Sequence, residues 1–333
     1  MKKPVLPLLL LLLFAVSAGA QLSRISPAEL KILRKKEDSL KSFVKNVMID
    51  SFTAGRMRSD SQFVKTLVRG LQVKNSFYFP FDSVKGIGKL YAPDSTFRIF
   101  TWQISYDDYY CRQRGAIQYR TADGSLRLVP LWDASEFTDY PEDSVRSKDN
   151  WIGAVYYNII KTEHKGKSYY TLFGFDGNSV RSNKKWIEVL SFDSRNLPVF
   201  GGRFSYEKDT AKRADQIRYS IEYKKEASTT MNYDPEMQMI LVDHLISESD
   251  EPDLAYTFVP DGDYEGFKWE NGKWLHVDKV FTEGAIDMRG VDPLLGKPPV
   301  GDPLMDEKGN RNDKKLEERS EKNKLKKKDL EQY

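Results

Sequence analysis

Cysteine and histidine are scarce in this chain, which has one cysteine, Cys111, and three histidines among its 333 residues. A single thiol excludes a disulfide within the chain. A structural zinc site takes four cysteine or histidine ligands, and His164, His244 and His276 lack the close spacing of a zinc-binding helix. We therefore predict no metal site and no cofactor, and we expect Cys111 to be a small buried apolar residue.

An excess of one charge sign is also missing. The chain has 52 Lys and Arg residues against 49 Asp and Glu residues, a formal net charge of +3. Proteins that bind nucleic acids usually carry a strong basic excess on one face, so this near balance argues against that class.

Catalytic motifs are absent as well. The chain has no G-x-S-x-G elbow, and Gly86-Ile87-Gly88 lacks the third glycine of a nucleotide-binding loop. Residues 261–266 begin like a calcium-binding loop, but Gly272 stands where a bidentate Glu is needed. We predict no catalytic residue. A glycan hydrolase whose two acids are brought together by folding stays open as an alternative.

Only one long apolar run occurs, and it lies at the N-terminus. Lys2 and Lys3 precede the apolar stretch 5–16, and Ala18-Gly19-Ala20 offers the small residues that a signal peptidase reads. The run is shorter than the ~20 residues that span a bilayer. We predict that residues 1–20 are a cleaved signal peptide. The mature protein is then periplasmic, outer-membrane-associated or secreted, with no transmembrane segment.

Two helices are predicted in the N-terminal segment, residues 21–74. Ser26-Pro27-Ala28-Glu29 matches a capping box with proline at the first helical position, and apolar residues then recur at helical spacing. A second helix is predicted over 61–71, with Ser59 and Gln62 as its cap. Both apolar stripes are expected to pack on the rest of the protein.

The next segment, residues 75–283, is dense in β-branched and aromatic residues that alternate with polar ones. The pairs Asp123-Gly124 and Asn271-Gly272 suit tight hairpin turns. The stretch 184–193 is ambiguous between strand and helix, and its β-branched residues favour a strand. We predict about ten to thirteen strands in a mainly β, α+β fold: a large antiparallel sheet or sandwich with the two helices packed on it.

The C-terminal part differs in composition. Residues 284–309 are rich in Gly, Pro and Asp, which is typical of a linker, and residues 310–333 consist mostly of charged and polar residues. Such a tail buries too little apolar surface to fold alone, so it is expected to be disordered or a solvated helix, with docking on a partner as the alternative.

The chain resembles a family of uncharacterised exported proteins from Gram-negative bacteria of the Bacteroidota group. The phrases that carry the resemblance lie between residues 75 and 281, about two-thirds of the chain, and are NSFYFPFDSV, FRIFTWQ, GAIQYR, WIGAVYY, YYTLFGFDGNS, KKWIEVLSFD and PVFGGRF. The resemblance implies an envelope setting and brings no activity, substrate or catalytic residue.

Aromatic residues are the remaining functional signal, because exposed rings can stack on sugars or hold a peptide. They cluster on two predicted hairpins. The predicted ligand-binding residues are Trp102, Tyr106, Tyr109, Tyr110, Trp269 and Trp274. Alternate strand positions face a core, so at least half of such rings are expected to be packing residues instead.

The leading functional hypothesis is a non-catalytic envelope protein, a β-module that binds a glycan or another envelope protein or has a structural role. Its alternatives are the glycan hydrolase and a scaffold that holds an envelope assembly through its charged ends, residues 22–48 and 310–333. The oligomeric state stays open.

Overall fold

The computed structural model describes residues 24–210 and 212–280. The predicted signal peptide, linker and charged tail lie outside the described residues. Within them the protein is mainly β, with two N-terminal helices packed on several antiparallel sheets, which confirms the predicted fold class. Within the part of the chain that the structure describes, no helix is both long and apolar enough to cross a membrane.

Helix α1 spans Pro27–Ile49 and begins at the predicted capping box. The Ser26 side chain accepts a hydrogen bond from the Glu29 amide at 3.3 Å, and the Glu29 carboxylate accepts one from the Ser26 amide at 3.0 Å. Two backbone donors that have no partner within the helix are thereby satisfied, which is why the start could be read locally.

Helix α2 spans Thr53–Leu71, so it begins well before the predicted start at residue 61, and that boundary was wrong. Its N-cap residue, Phe52, makes no side-chain capping bond. The extra turns are held by tertiary contacts instead. The Thr53 hydroxyl and the Arg56 guanidinium donate to the carbonyls of Tyr106 and Ser105, both at 2.8 Å.

Fifteen strands lie in the described residues. Their bounds are β1 Gly88–Tyr91, β2 Phe97–Ser105, β3 Cys111–Tyr119, β4 Arg127–Trp132, β5 Arg146–Ser147, β6 Val155–His164, β7 Lys167–Asp176, β8 Ser182–Phe192, β9 Pro198–Phe200, β10 Phe204–Ser205, β11 Tyr219–Lys224, β12 Met231–Asp234, β13 Met239–Ser247, β14 Phe258–Glu270 and β15 Lys273–Val277. The ambiguous stretch 184–193 lies in β8 apart from its last residue.

The strands form three sheets. Sheet 1 has the order β1-β2-β3-β4, sheet 2 has β5-β9-β8-β7-β6 with β11 also paired to β8, and sheet 3 has β10-β15-β14-β13-β12. Pairing is antiparallel except for the short β10–β15 pair. The Asn271-Gly272 turn joins β14 to β15 with φ of 50° and 81°, the positive angles that this dipeptide tolerates.

Three apolar clusters stack the layers in the order helices, sheet 1, sheet 2, sheet 3. The first cluster joins both helices to one face of β2, including Phe100 and Ile104. The second joins the opposite face of β2 to Leu172 and Leu190 of sheet 2. The third joins the other face of sheet 2, including Phe173, to sheet 3. Sheets 1 and 2 are therefore covered on both faces.

Candidate functional site

The six predicted ligand-binding aromatics lie on two hairpins of different sheets. Trp102, Tyr106, Tyr109 and Tyr110 belong to the β2–β3 hairpin of sheet 1, and Trp269 and Trp274 to the β14–β15 hairpin of sheet 3.

Two of these six residues are buried and cannot form a ligand platform on the surface. Trp102 is 5% exposed and donates its indole N–H to Asp60 of α2 at 2.8 Å. Trp274 is fully buried and donates to the Thr171 hydroxyl at 3.0 Å. The prediction is corrected for both, because each ring lies on a covered strand face where its one polar atom has a buried acceptor.

Trp269 is partly exposed, but its neighbours cover much of it. Its ring centroid lies 5.4 Å from that of Tyr169 and 5.3 Å from that of Trp274, and its indole N–H donates to the Glu163 carbonyl at 3.4 Å. These contacts fasten the β14–β15 hairpin to the β6–β7 hairpin, a packing role.

The three tyrosines lie beyond the covered part of the β2–β3 hairpin, in its turn. The Tyr106 amide donates to the Tyr110 carbonyl at 2.9 Å, and the Asp107 carboxylate accepts from the Tyr109 amide at 2.8 Å. The rings of Tyr106 and Tyr110 lie 5.6 Å apart. Tyr109 points outward, with 77% of its surface exposed. These bonds hold the rings on a structured turn.

The start of α2 adds a fourth ring. The bonds from Thr53 and Arg56 to the carbonyls of Tyr106 and Ser105 place Phe52 beside the turn, and Phe52 is 76% exposed. The local sequence pattern does not reveal this ring, because it predicts a helix start later in the chain.

The loop that follows β4 adds a fifth ring. The Asp133 carboxylate accepts from the Gln113 amide of β3 at 2.8 Å, which places the loop beside Tyr110. Burial raises the pKa of Tyr110, and the charges of Asp133 and Glu136 add to that rise. The next residue, Phe137, is 86% exposed.

We name these five rings the tip surface; its residues are Phe52, Tyr106, Tyr109, Tyr110 and Phe137. Most exposed apolar groups on a protein are single and scattered, whereas an exposed group of large rings marks an interaction site.

Carboxylates surround the tip surface. Asp107, Asp108, Glu136 and Asp139 are exposed, and none of the ion pairs among the described residues includes them. Arg56 of α2 is bonded to two carbonyls and a hydroxyl. Arg112 of β3 is a cation at this surface, where its guanidinium donates to the Tyr106 hydroxyl at 3.5 Å. The surface therefore combines aromatic rings with four exposed carboxylates that outnumber this base.

A cluster of titratable groups lies elsewhere, at one end of sheet 3. His276 on β15 bridges two carboxylates, with Nδ1 2.8 Å from Asp209 and Nε2 2.9 Å from Glu265. Tyr219 donates to the other oxygen of Glu265. Burial disfavours the charged imidazole, but the bonds to Glu265 and Asp209 outweigh it and raise the pKa of His276. The His276 side chain is 0% exposed, which favours a structural ion network.

A second buried acid lies at the end of β7. Burial raises the pKa of Asp176 to about 6, although it accepts bonds from the Asn178 amide and the Gln113 side chain, at 2.9 and 2.8 Å. Nearby Cys111 is only partly buried, less than predicted, and burial raises the pKa of its thiol. A thiol with a raised pKa is a weak nucleophile at neutral pH.

The calcium-like segment does not form a cation loop in this fold. Residues 261–266 lie within β14, and Asp261 accepts from the Asp263 amide and pairs with His244 at 2.8 Å. Among residues 24–210 and 212–280, no group of three or more His, Cys, Asp or Glu side chains is placed to hold a metal.

No protein-family model, curated protein or solved structure matches this chain. The resemblance to the exported Bacteroidota proteins stays a prediction.

Proposed function

We propose that the protein is a non-catalytic binding module of the bacterial envelope and that it holds its ligand on the tip surface. The observation that carries the proposal is the group of exposed rings at the β2–β3 turn, above all Phe52, Tyr109 and Phe137. The envelope setting is supported by the signal-peptide pattern in residues 1–20.

The support for binding is physical. Aromatic side chains offer large contact areas and lose little rotamer entropy on binding, because only two torsions have to be ordered. Here the start of α2 and the loop after β4 are each hydrogen-bonded to the β2–β3 hairpin, and all three elements carry exposed rings. A preorganised surface loses less entropy when a ligand binds.

The hydrolase alternative has weaker support. Glycoside hydrolysis needs two carboxyl groups about 5–10 Å apart that both face the substrate. Asp209 and Glu265 flank His276, but their side chains are 5% and 12% exposed and are occupied by the imidazole. This arrangement favours the binding module over the enzyme.

A binding screen with matched variants tests the proposal. The mature chain would be titrated with soluble glycans and synthetic peptides, and binding followed by thermal shift and calorimetry. The tip variant Phe52→Ser/Tyr109→Ser/Phe137→Ser would be compared with a control variant, Ile32→Ser/Met237→Ser/Ile246→Ser, which alters three exposed apolar residues elsewhere.

The expected result is a ligand that binds the wild type and the control variant but not the tip variant. A ligand at 100 times its dissociation constant raises the free energy of unfolding by about 2.7 kcal/mol, which a thermal shift detects. If every ligand of the wild type bound the tip variant equally well, the proposed site would be wrong.

A further inference from the structure

We propose that the ligand of the tip surface is a cationic polypeptide segment, with Lys or Arg side chains that contact the rings and the surrounding carboxylates. This inference rests on the proposed function, because it names the ligand class of that same surface.

The first support is the local charge. From Trp132 to Ser144 the chain carries five carboxylates and no Lys or Arg, although the whole chain is nearly balanced at 52 basic and 49 acidic residues. The β2–β3 turn contributes Asp107 and Asp108. Charge of one sign on one surface attracts partners of the opposite sign and repels anionic ones, such as nucleic acids and acidic lipids.

The second support is the pairing of the charge with rings. The face of an aromatic ring attracts a cation, and a guanidinium can stack on a ring while its edge binds a carboxylate. At the tip, the turn that presents Tyr109 also exposes Asp107 and Asp108, and Phe137 directly follows Glu136. Two of the three most exposed rings, Tyr109 and Phe137, therefore have a carboxylate next to them in the chain.

The same chemistry already occurs inside this protein. The guanidinium carbon of Arg213 lies 5.1 Å from the ring centroid of Tyr206, while Nε of Arg213 is 3.9 Å from the Asp209 carboxylate. Arg127 lies 4.5 Å above the Tyr119 ring. At the tip surface, rings and carboxylates are both present, and the partner's cations would complete the arrangement.

A neutral glycan is the competing ligand. It would use the rings through the apolar faces of its sugars, but it would gain little from a net negative charge. The exposed carboxylates of Asp107, Asp108, Glu136 and Asp139 outnumber Arg112, the base that donates to Tyr106, and therefore favour the cationic peptide.

The test uses three fluorescent probes: a (Gly-Arg)5 peptide, a (Gly-Glu)5 peptide and a chitin oligosaccharide. Their affinities for the mature chain would be measured by anisotropy at about 0.05 M and about 0.3 M salt, because screening weakens contacts between exposed charges. The charge variant is Asp107→Asn/Asp108→Asn/Glu136→Gln/Asp139→Asn.

A matched control removes four exposed carboxylates elsewhere. This variant is Asp38→Asn/Asp82→Asn/Glu226→Gln/Glu236→Gln, and none of its residues takes part in an ion pair among the described residues. Both variants change the net charge by the same amount, so a difference between them reports position and not total charge.

We expect the Arg peptide to bind the wild type and to lose about tenfold or more in affinity in the tip variant, since each ring contact contributes about a two- to fivefold factor. The charge variant should bind the Arg peptide more weakly and with little salt dependence. The control variant should keep both the affinity and the salt dependence of the wild type. The Glu peptide should not bind.

Three results would overturn the inference. Equal weakening in the charge and control variants would mean that the peptide responds to total charge alone. Binding of the chitin oligosaccharide, but not the Arg peptide, through the tip rings would refute the cationic ligand and leave the proposed function standing. Failure of all three probes to bind in a tip-dependent way would count against both.

Discussion

The ion pair between Glu188 and Arg218 lies in the middle of the fold, and removing one partner should cost much of the stability. Their side chains are 2% and 1% exposed, and Arg218 Nε donates to Glu188 at 2.9 Å. The other Glu188 oxygen accepts from the Tyr156 hydroxyl at 2.6 Å, and Arg218 also donates to the carbonyls of Ser144 and Pro141.

Glu188→Gln keeps the shape but leaves the guanidinium without a counter-charge, and Arg218→Met leaves a buried carboxylate without one. Breaking a buried pair in this way costs about 3–5 kcal/mol. For a domain of this size each kcal/mol lowers the melting temperature by about 2–4 °C, so either single variant should melt about 6–20 °C lower. The double variant removes both charges and should recover a large part of that loss.

Urea unfolding of the wild type, both single variants and the double variant gives the coupling energy. Strict additivity of the two single effects, or a loss below about 1 kcal/mol in each, would refute the reasoning. The pair also has a local role, because Arg218 holds the loop at 141–144 that follows the tip surface. Arg218→Met should therefore also weaken ligand binding at the tip, and unchanged affinity in the folded variant would refute that link.

Three further predictions concern single sites. Asp176→Asn should stabilise the protein by about 1–3 kcal/mol at pH 7, because burial raises the pKa of this acid from 3.8 to about 6 and the folded protein then holds a disfavoured buried charge at pH 7. In urea titrations the gain should vanish below about pH 4, where the acid is protonated in both states. A gain that is independent of pH would contradict the prediction. The two carboxylate neighbours of His276 raise its pKa above the ordinary 6.5, so the stabilisation from its charge is complete below pH 6.5 and is lost as the pH rises through the raised pKa. The difference in unfolding free energy between the wild type and His276→Gln should therefore shrink with rising pH. A difference that stays constant from pH 6 to pH 9 would exclude the charged imidazole. Gly70→Ala should stabilise α2 by about 0.5–1 kcal/mol, since the added Cβ meets atoms no closer than 3.7 Å. Gly55→Ala should give no such gain, because its Cβ would lie 2.0 Å from the Asp50 carboxylate. Equal shifts in melting temperature for the two variants would show that these contacts do not affect stability.

What could be predicted from sequence was local. The capping box at Ser26 and the Asn271-Gly272 turn depend on residues within three or four positions, and both formed as predicted. The start of α2 depends on bonds from Thr53 and Arg56 to a turn about fifty residues away, so no local pattern contains it. His276 likewise bonds Asp209, which lies 67 positions earlier in the chain.

The aromatic platform failed in part for a physical reason that alternation cannot reveal. Alternation separates a buried from an exposed face only when one side of a sheet meets water. Sheet 1 has helices on one side and sheet 2 on the other, so the first six residues of β2 are all buried and Trp102 belongs to the core. In such a sheet, a ring is available to a ligand only beyond the strand ends, where neither neighbouring layer covers it. Tyr109, in the turn between β2 and β3, is such a residue.

The same layering explains why the tip can serve as a rigid site. The β2–β3 turn lies at the end of a sheet whose two faces are both packed against apolar clusters, and these two clusters fix the position of the turn. The bonds of Thr53 to the turn and of Asp133 to Gln113 of β3 then fix the neighbouring segments against this hairpin. Mutations that loosen the core beneath the turn should therefore weaken binding, although the mutated residues do not contact the ligand. Phe63→Leu is the most direct case, because the Phe63 ring packs edge-on against Trp102 at 5.0 Å, below the turn. Its binding loss should follow its loss of stability, whereas Tyr109→Ser should weaken binding with little effect on stability.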